Sequence, residues 1–233
     1  TVVIDLIGFG IVIPILPFIA PELGADEMDI ALIIASHSIL AGLSGPFWGR
    51  LSDKIGRKPV MLICLAGAAL SYLMLAFSHT LWMVYMARIF AGAMSGNFGV
   101  ASAMVADMSK PEDRAKFMGI IGAAFGVGMV IGPFLGGFLG GEEASFFLPG
   151  IVSMGLSLTA MLAGALFLKE TLSPEQRTEH SQMQAAAPVQ SLWQIVKSSG
   201  NRLLVFQYFI QNSTHSTVSY LFPLWVGVYL GWG

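Results

Sequence analysis

The 233-residue chain is 55% hydrophobic and only 11% charged, whereas a water-soluble domain carries about 25% charged residues. A mean hydropathy of +0.72, with 27 Gly, 13 Met and 16 Phe, suits helices packed in lipid and argues against a soluble enzyme or a nucleic-acid-binding domain. The net charge of −2 decides nothing as a total; its distribution along the chain is what carries information.

Seven stretches reach the roughly 20 apolar residues that a membrane-spanning helix needs: 1–20, 30–48, 60–77, 81–106, 117–140, 146–168 and 203–229. The first begins at residue 1 with no basic region or small-residue cleavage site, so no cleavable signal peptide is expected. The abrupt start without Met suggests that a few N-terminal residues have been trimmed. Cys64, the only cysteine, lies in an apolar run and reads as a small buried residue. Short polar segments separate the first six spans, and a longer one separates the last two. The end of that longer segment, 191–199, has the pattern of a short surface helix anchored by Trp193.

Charge sets the expected orientation. Arg50, Lys54, Arg57 and Lys58 follow span two, and Lys110, Arg114 and Lys116 follow span four. Lys169, Arg177, Lys197 and Arg202 lie between spans six and seven. The alternate loops hold no base and carry Glu22, Asp26, Glu27, Asp29, Glu142 and Glu143. The positive-inside rule then puts the N-terminus and the basic segments in the cytoplasm. The expected organisation is a six-helix bundle over 1–168, a cytoplasmic linker over 169–202, and over 203–233 the first helix of a second bundle. Many transporters are built six plus six, each half from two inverted three-helix repeats. No internal sequence identity supports the repeat, so that expectation rests on topology.

Four groups of residues carry possible chemistry. Gly49-Arg-Leu-Ser-Asp-Lys-Ile-Gly-Arg-Lys-Pro59 joins spans two and three. Gly49 and Gly56 permit a tight turn and close approach, Asp53 can accept from a helix N-terminus or pair with a base, and Arg57 and Lys58 can pair with acids or anionic lipid. The plain alternative is a generic basic loop. Span five holds Gly122, Gly126, Gly128, Gly132-Pro133, Gly136-Gly137 and Gly140, with GxxxG spacing that admits a neighbouring helix and a proline that favours a kink. Span four holds Arg88 and then Gly96-Asn97. A charge inside the bilayer normally faces the bundle interior, unless Arg88 snorkels from about 10 Å deep. Span one holds Asp5 before Pro14 and Pro17. A buried carboxylate there can carry a proton or brace helices near the cytoplasmic end. By depth along their spans, Asp5 and Arg88 are not expected to pair.

In span seven, Gln207, Gln211 and His215 recur at i, i+4 and i+8 and form one polar stripe, with Asn212 and Ser219 beside it. Such groups either face a hydrated cavity or bond to neighbouring helices. His37 and His215 lie in spans and His79 in a loop, without metal-ligand spacing, and structural roles are expected for them. No GxxxxGK[ST] phosphate loop is present. No catalytic dyad or metal cluster is evident at membrane depth, so neither a metal nor enzymatic chemistry is expected.

From Asp5 to Glu170 these motifs resemble the drug/proton antiporter branch of the major facilitator superfamily, and most of all bacterial tetracycline and multidrug efflux proteins. The 49–59 segment matches the superfamily's hallmark loop, and Gly132-Pro-Phe-Leu-Gly-Gly137 matches the signature of the antiporter branch. The resemblance implies an all-α membrane protein of the inner bacterial membrane that uses the proton gradient, without a cofactor, to expel a small organic compound by alternating access. It implies that Asp53, Arg57, Lys58 and Asp107 form a charge cluster that governs conformational cycling, that Asp5 takes part in proton coupling, and that Arg88 is a family position. It also implies that spans one, four and seven line the cavity, which brings Asn97, Gln207, Gln211 and His215 to it. Expected partners are the organic substrate, protons, lipid, and a further half of the chain or a second copy. Ser71 stands where the tetracycline proteins carry an acid and Ala41 where they carry Gln, so the cargo is left open. A carrier of a metabolite, sugar or siderophore, and a dimeric half-protein, are the alternatives.

Overall fold

The computed structural model describes residues 1–140 and 145–178 and, beyond them, Leu203, Phe206, Gln207 and Ile210, all four helical. Thr1–Thr178 forms one compact unit; it extends past the predicted boundary at 168. Within it run seven α-helices: α1 (Val2–Ile19), extended by a 3-10 turn at Ala20–Leu23, then α2 (Glu27–Ile55), α3 (Arg57–Ala76), α4 (Leu81–Ala93), α5 (Asn97–Met108), α6 (Arg114–Gly140) and α7 (Phe147–Phe167). Taking α4 and α5 together, six helical segments among the described residues are long and apolar enough to cross a membrane. They correspond to the first six predicted spans. The seventh predicted span and the surface helix at 191–199 lie largely outside the described residues.

Local chemistry sets the ends of these helices. Gly24 turns the chain at φ 82°, and α2 then starts on a reciprocal cap. Asp29 N–H donates to Asp26 Oδ1 at 2.7 Å and Asp26 N–H donates to Asp29 Oδ2 at 3.2 Å, satisfying two of the donors that every helix start leaves over. The acids of this segment therefore begin a helix as well as marking a loop.

Two junctions differ from the sequence expectation. The predicted loop between spans two and three shrinks to one residue: α2 runs on to Ile55, α3 begins at Arg57, and Gly56 alone joins them at φ 109°. Pro59 does not interrupt α3, because it sits in the first turn, where no intrahelical donor is lost. Span four, expected as one helix, is broken at 94–96. The break frees carbonyls that a neighbour takes up: Ser44 Oγ donates to Gly92 O at 3.0 Å and Trp48 Nε1 to Ala93 O at 2.7 Å. Both donors lie on α2. Gly96 makes room for them, since a Cβ there would lie 2.5 Å from the Trp48 side chain.

The strongest helix pairings are α1 with α6, α3 with α7, and α2 with α4. In spans, these are one with five, three with six and two with four. Exchanging spans one to three for four to six leaves that set unchanged, as an inverted repeat requires. Two apolar cores result. One joins Val12, Leu16, Ile33, Leu75 and Val84, and the other joins Trp48, Val60, Leu65, Val100 and Met104.

The α1–α6 contact is made by glycine. Gly128, Gly132 and Gly136 recur every four residues on α6 and face Leu6, Gly10 and Ile11 of α1. A Cβ on Gly132 would come within 2.5 Å of the Gly10 backbone. Backbone-to-backbone contact of this kind supplies the dispersion energy that lipid-embedded helices need in place of a hydrophobic drive. Gly122, Gly126 and Gly137 lie off this seam, and a Cβ on any of them would meet nothing within 4 Å among the described residues. Gly132→Ala should therefore destabilise the protein by about 1–3 kcal/mol, the usual range for overpacking, while Gly137→Ala should leave stability nearly unchanged. Thermal unfolding of the two purified variants beside wild type checks this, and equal melting temperatures would refute the assignment of the seam.

Candidate functional site

Between the two apolar cores lies a cavity of ≈ 180 Å³ lined by Asp5 of α1, His37 of α2, Ser71 and Tyr72 of α3, Arg88 of α4 and Asn97 of α5, with the rings of Phe9, Phe98 and Phe125. The break in span four shapes one wall: Ala91, Met94 and Ser95 line it as well. Asp5 is 6% exposed and Arg88 4%, so Arg88 faces the interior and does not snorkel. Asp5 and Arg88, expected at different depths, reach one cavity.

Asp5 is held by two donors. Asn97 Nδ2 at the start of α5 donates to Oδ2, and Ser157 Oγ of α7 lies 3.4 Å from Oδ1. Ser157 lies about 15 Å in from the end of α7, whereas Asp5 lies in the first turn of α1, so the contact braces the start of α1 against the middle of α7. Ser157 and its neighbour Ser153, which donates to Gly8 O at 3.0 Å, are fully buried. Neither stands out in the sequence as a site residue, although two serines spaced i, i+4 in an apolar span are a legible signal of a polar helix face.

A second cluster sits at the Gly56 junction. Arg57 Nη1 lies 2.7 Å from Asp53 Oδ1 and Nε lies 3.0 Å from Asp107 Oδ2. Nη1 also donates to Ser52 Oγ at 2.7 Å. Arg57 thus ties α2 to the end of α5. The start of α3 has no cap of its own, because Gly56 offers no side chain. Glu170, 113 residues away in sequence, supplies one: Oε1 accepts from Arg57 N–H at 2.9 Å and Oε2 from Lys58 N–H at 3.3 Å. Arg177 completes the arrangement. Its Nη2 lies 3.3 Å from Glu170 Oε2 and its Nη1 donates to Ile55 O at 3.3 Å. An acid at the N-terminus of α3 and a base at the C-terminus of α2 both match the helix dipoles, and together they clasp the segment after α7 to the junction.

Comparison with known proteins agrees with this geometry. The family model of the Major Facilitator Superfamily matches residues 1–233. The chain belongs to the Major Facilitator Superfamily. Within the superfamily, the chain is 38% identical over 176 residues to the class H tetracycline resistance protein of Pasteurella multocida, covering 74% of this chain and 44% of that one. It is 35% identical over 180 residues to the class B tetracycline resistance protein of Escherichia coli, covering 76% and 44%. The human major facilitator superfamily domain-containing protein 10 is 38% identical over 146 residues, covering 63% and 31%. The chain spans less than half the length of these curated relatives. Its fold matches the crystal structure of the human organic anion transporter MFSD10 with a TM-score of 0.76 at 24% identity, over all of this chain and 64% of that one.

The structure brings some of the predicted site residues together and separates others. Asp53, Arg57 and Asp107 meet as the superfamily resemblance implies. Lys58 does not join them through its side chain, because Nζ donates instead to Ala165 O at 2.7 Å, near the end of α7. Gly56 is used as a turn, but a Cβ on Gly49 would meet nothing within 4 Å, so the close approach expected there is not made among the described residues. Gly128, Gly132 and Gly136 form the α1 seam, Pro133 sits beside them, and Gly137 does not take part. Asn97 reaches the cavity. Gln207 is helical, and Gln211 and His215 lie outside the described residues. Glu170 and Arg177 escape a reading of the sequence as site residues, because a cap delivered across 113 residues has no local pattern.

Burial pushes the Glu170 carboxyl up, but the N–H donors of Leu172, Arg57, Thr171 and Lys58 outweigh it and hold the group below its ordinary value of 4.5. A depressed folded value stabilises the clasp above the ordinary carboxylate range, and that contribution is lost as pH falls through the folded value. Acid should therefore open the clasp. Proteolysis at Arg177 should accelerate in wild type once pH drops below that range, and Glu170→Gln should cleave rapidly already at about pH 7, where the wild-type carboxylate is ionised, with little further change in acid. A wild-type cleavage rate that ignores pH, measured with an acid-tolerant protease, would count against the clasp.

Proposed function

We propose that the full-length protein is a proton-coupled exporter of a small organic compound, working by alternating access in the bacterial inner membrane with the basic junctions on the cytoplasmic side. The observation that carries this reading is the Asp5 carboxylate, buried within an apolar helix on the wall of a cavity that also holds Arg88 and several aromatic rings. An ionisable group so placed is costly and marks a substrate or proton path. The tetracycline resistance names of the bacterial relatives support efflux of an organic cargo. Aromatic walls suit a partly apolar cargo, and a cavity near the junction of repeats is where transporters bind it. Protons, the cargo, lipid and either the remainder of the chain or a second copy are the partners of this reading.

A second reading keeps the fold and makes the cargo an organic anion or acidic metabolite. Arg88 and His37 on the cavity wall support it, as does the likeness to the human organic anion transporter. The direction of proton coupling and the charge of the cargo separate the two.

Inverted membrane vesicles containing the full-length protein, loaded from a panel of cationic, neutral and anionic compounds with and without a pH gradient, test both. Asp5→Asn should abolish gradient-driven accumulation and retain downhill exchange. Asp53→Asn, at the distant cluster, should slow turnover about tenfold, equivalent to about 1.4 kcal/mol on the barrier, without changing substrate affinity. Full gradient-driven transport by Asp5→Asn would remove Asp5 from the coupling step, and lost binding with normal turnover in Asp53→Asn would remove the cluster from the conformational step.

A further inference from the structure

Ser157 stands between two acceptors. Its Oγ lies 3.4 Å from Asp5 Oδ1 and 3.1 Å from the Leu65 carbonyl of α3, and the side chain is fully buried. A hydroxyl carries one hydrogen and accepts through its lone pairs. It can share that hydrogen between the two acceptors or give it wholly to either, so the pair of contacts can serve both charge states of Asp5. With Asp5 ionised, the Ser157 hydrogen points to Oδ1. With a proton on Oδ1, the carboxyl becomes a donor and gives its hydrogen bond to Ser157 Oγ, while the Ser157 hydrogen turns to Leu65 O. The proton stays on Asp5, no bond between heavy atoms changes, and only one hydroxyl rotates.

Among the described residues, Ser157 makes this exchange with the least rearrangement. Asn97 Nδ2 donates to Asp5, and turning the amide to present Oδ1 instead would give up the bond that Oδ1 accepts from Phe98 N–H at 3.0 Å. The Ser71 hydroxyl donates to Ala68 O at 2.7 Å. Among the described residues, the remaining ionisable groups around Asp5 are Cys64 and Tyr72 on α3, His37 on α2, Arg88 on α4 and the Thr1 amino group on α1. Arg88 and the Thr1 ammonium group carry donors only, so neither can accept from a neutral carboxyl. Cys64 is a weak acceptor, and Tyr72 and His37 stand on the cavity wall without taking Asp5 as a hydrogen-bond partner. A buried neutral carboxyl without an acceptor would leave its O–H unmet, so a partner able to switch from donor to acceptor lets the site hold both protonation states.

We infer that Ser157 is a positioning residue for proton coupling, which keeps Asp5 hydrogen-bonded in both its charged and neutral forms by reversing the direction of one bond. This rests on the proposed role of Asp5. It also makes the Leu65 carbonyl the acceptor that releases or receives the Ser157 hydrogen, so the protonation state of α1 is felt on α3 through α7.

The test uses the full-length protein in inverted vesicles, with Ser157→Cys, Ser157→Thr and Asp5→Asn. Cysteine nearly matches serine in size but is a weak donor and acceptor, and threonine keeps the hydroxyl. Ser157→Cys should lose about tenfold or more in gradient-driven accumulation, the scale set by a hydrogen bond to a charged group, with downhill exchange retained. Ser157→Thr should restore accumulation. In infrared difference spectra taken across the pH transition, the protonated-carboxyl band that Asp5→Asn removes should move to higher frequency in Ser157→Cys, because its O–H has lost a good acceptor. If Asp5→Asn itself keeps gradient-driven transport, the reading of Asp5 fails and this inference fails with it. If Asp5→Asn loses it while Ser157→Cys keeps both wild-type accumulation and an unshifted band, only the role of Ser157 is overturned. A Ser157→Cys loss that threonine does not restore, with the band unmoved, also overturns it by marking a packing effect.

Discussion

Lipid offers no hydrogen bonds, so every backbone N–H and C=O within it must find a partner in the protein. An unbroken helix meets that demand unaided, and each interruption creates groups that something else must satisfy. In this chain the interruptions coincide with the places where chemistry can happen. At 94–96 the Ala93 carbonyl is taken by Trp48 of α2, and the Gly92 carbonyl, which also accepts from Ser95 N–H, by Ser44. At Gly56 the free ends of α2 and α3 are taken by Arg177 and Glu170. In both cases the partner comes from an element distant in sequence, so satisfying the backbone also fixes which helices stand side by side.

The break in span four does more than expose carbonyls. It ends α4 five residues beyond Arg88 and restarts the chain at Asn97, whose amide reaches Asp5, while Arg88 and Ala91, Met94 and Ser95 of the break line the same cavity. The glycine seam works to the same end from the other side. With no side chains between α1 and α6 at Gly10 and Gly132, α1 lies close to its neighbour and Asp5 is carried into the interior. Small residues and a broken helix thus concentrate the polar groups into one layer, with an apolar core on each side of it.

The sequence is most legible where the physics is local. Span length needs only counting, so the first six spans are found, and the hallmark residues Asp53, Arg57 and Asp107 are recognised by type and spacing. The junctions are less so. Charged residues at 50–58 read as a loop, yet α2 continues through them, because a helix end outside the hydrocarbon tolerates charge as well as a loop does. The break at 94–96 escapes notice because Ala, Met, Ser and Gly leave the apolar run intact; what stabilises the break lies on α2, at Ser44 and Trp48. Lys58 looks like a member of the cluster by its neighbours, but its long side chain reaches the α7 carbonyl at Ala165 instead. Each miss has the same origin: the partner that decides the conformation is remote in sequence.

Gly56 brings these points together. Its φ of 109° lies where a side chain is strained, which alone would explain a glycine in a one-residue turn between long helices. A Cβ at that position would also run into the Glu170 carboxylate and come within 2.9 Å of Arg177 Nη2. The glycine therefore serves as the turn and, because it is bare, as the seat of the clasp. Asn tolerates the left-handed region of ordinary turns, but at φ 109° and ψ 155° the backbone lies where essentially only glycine goes, so Asn would fail both requirements. The buried Arg57 pairs hold α2 to α5 on one side of this point, while the partly exposed Glu170–Arg177 pair holds the segment after α7 on the other. Solvent weakens the outer pair more than the inner ones, because Arg177 is more exposed than Arg57. The joint accordingly has a firm side and a side that opens at low cost, and the side that opens is the one from which the chain leaves the six-span unit.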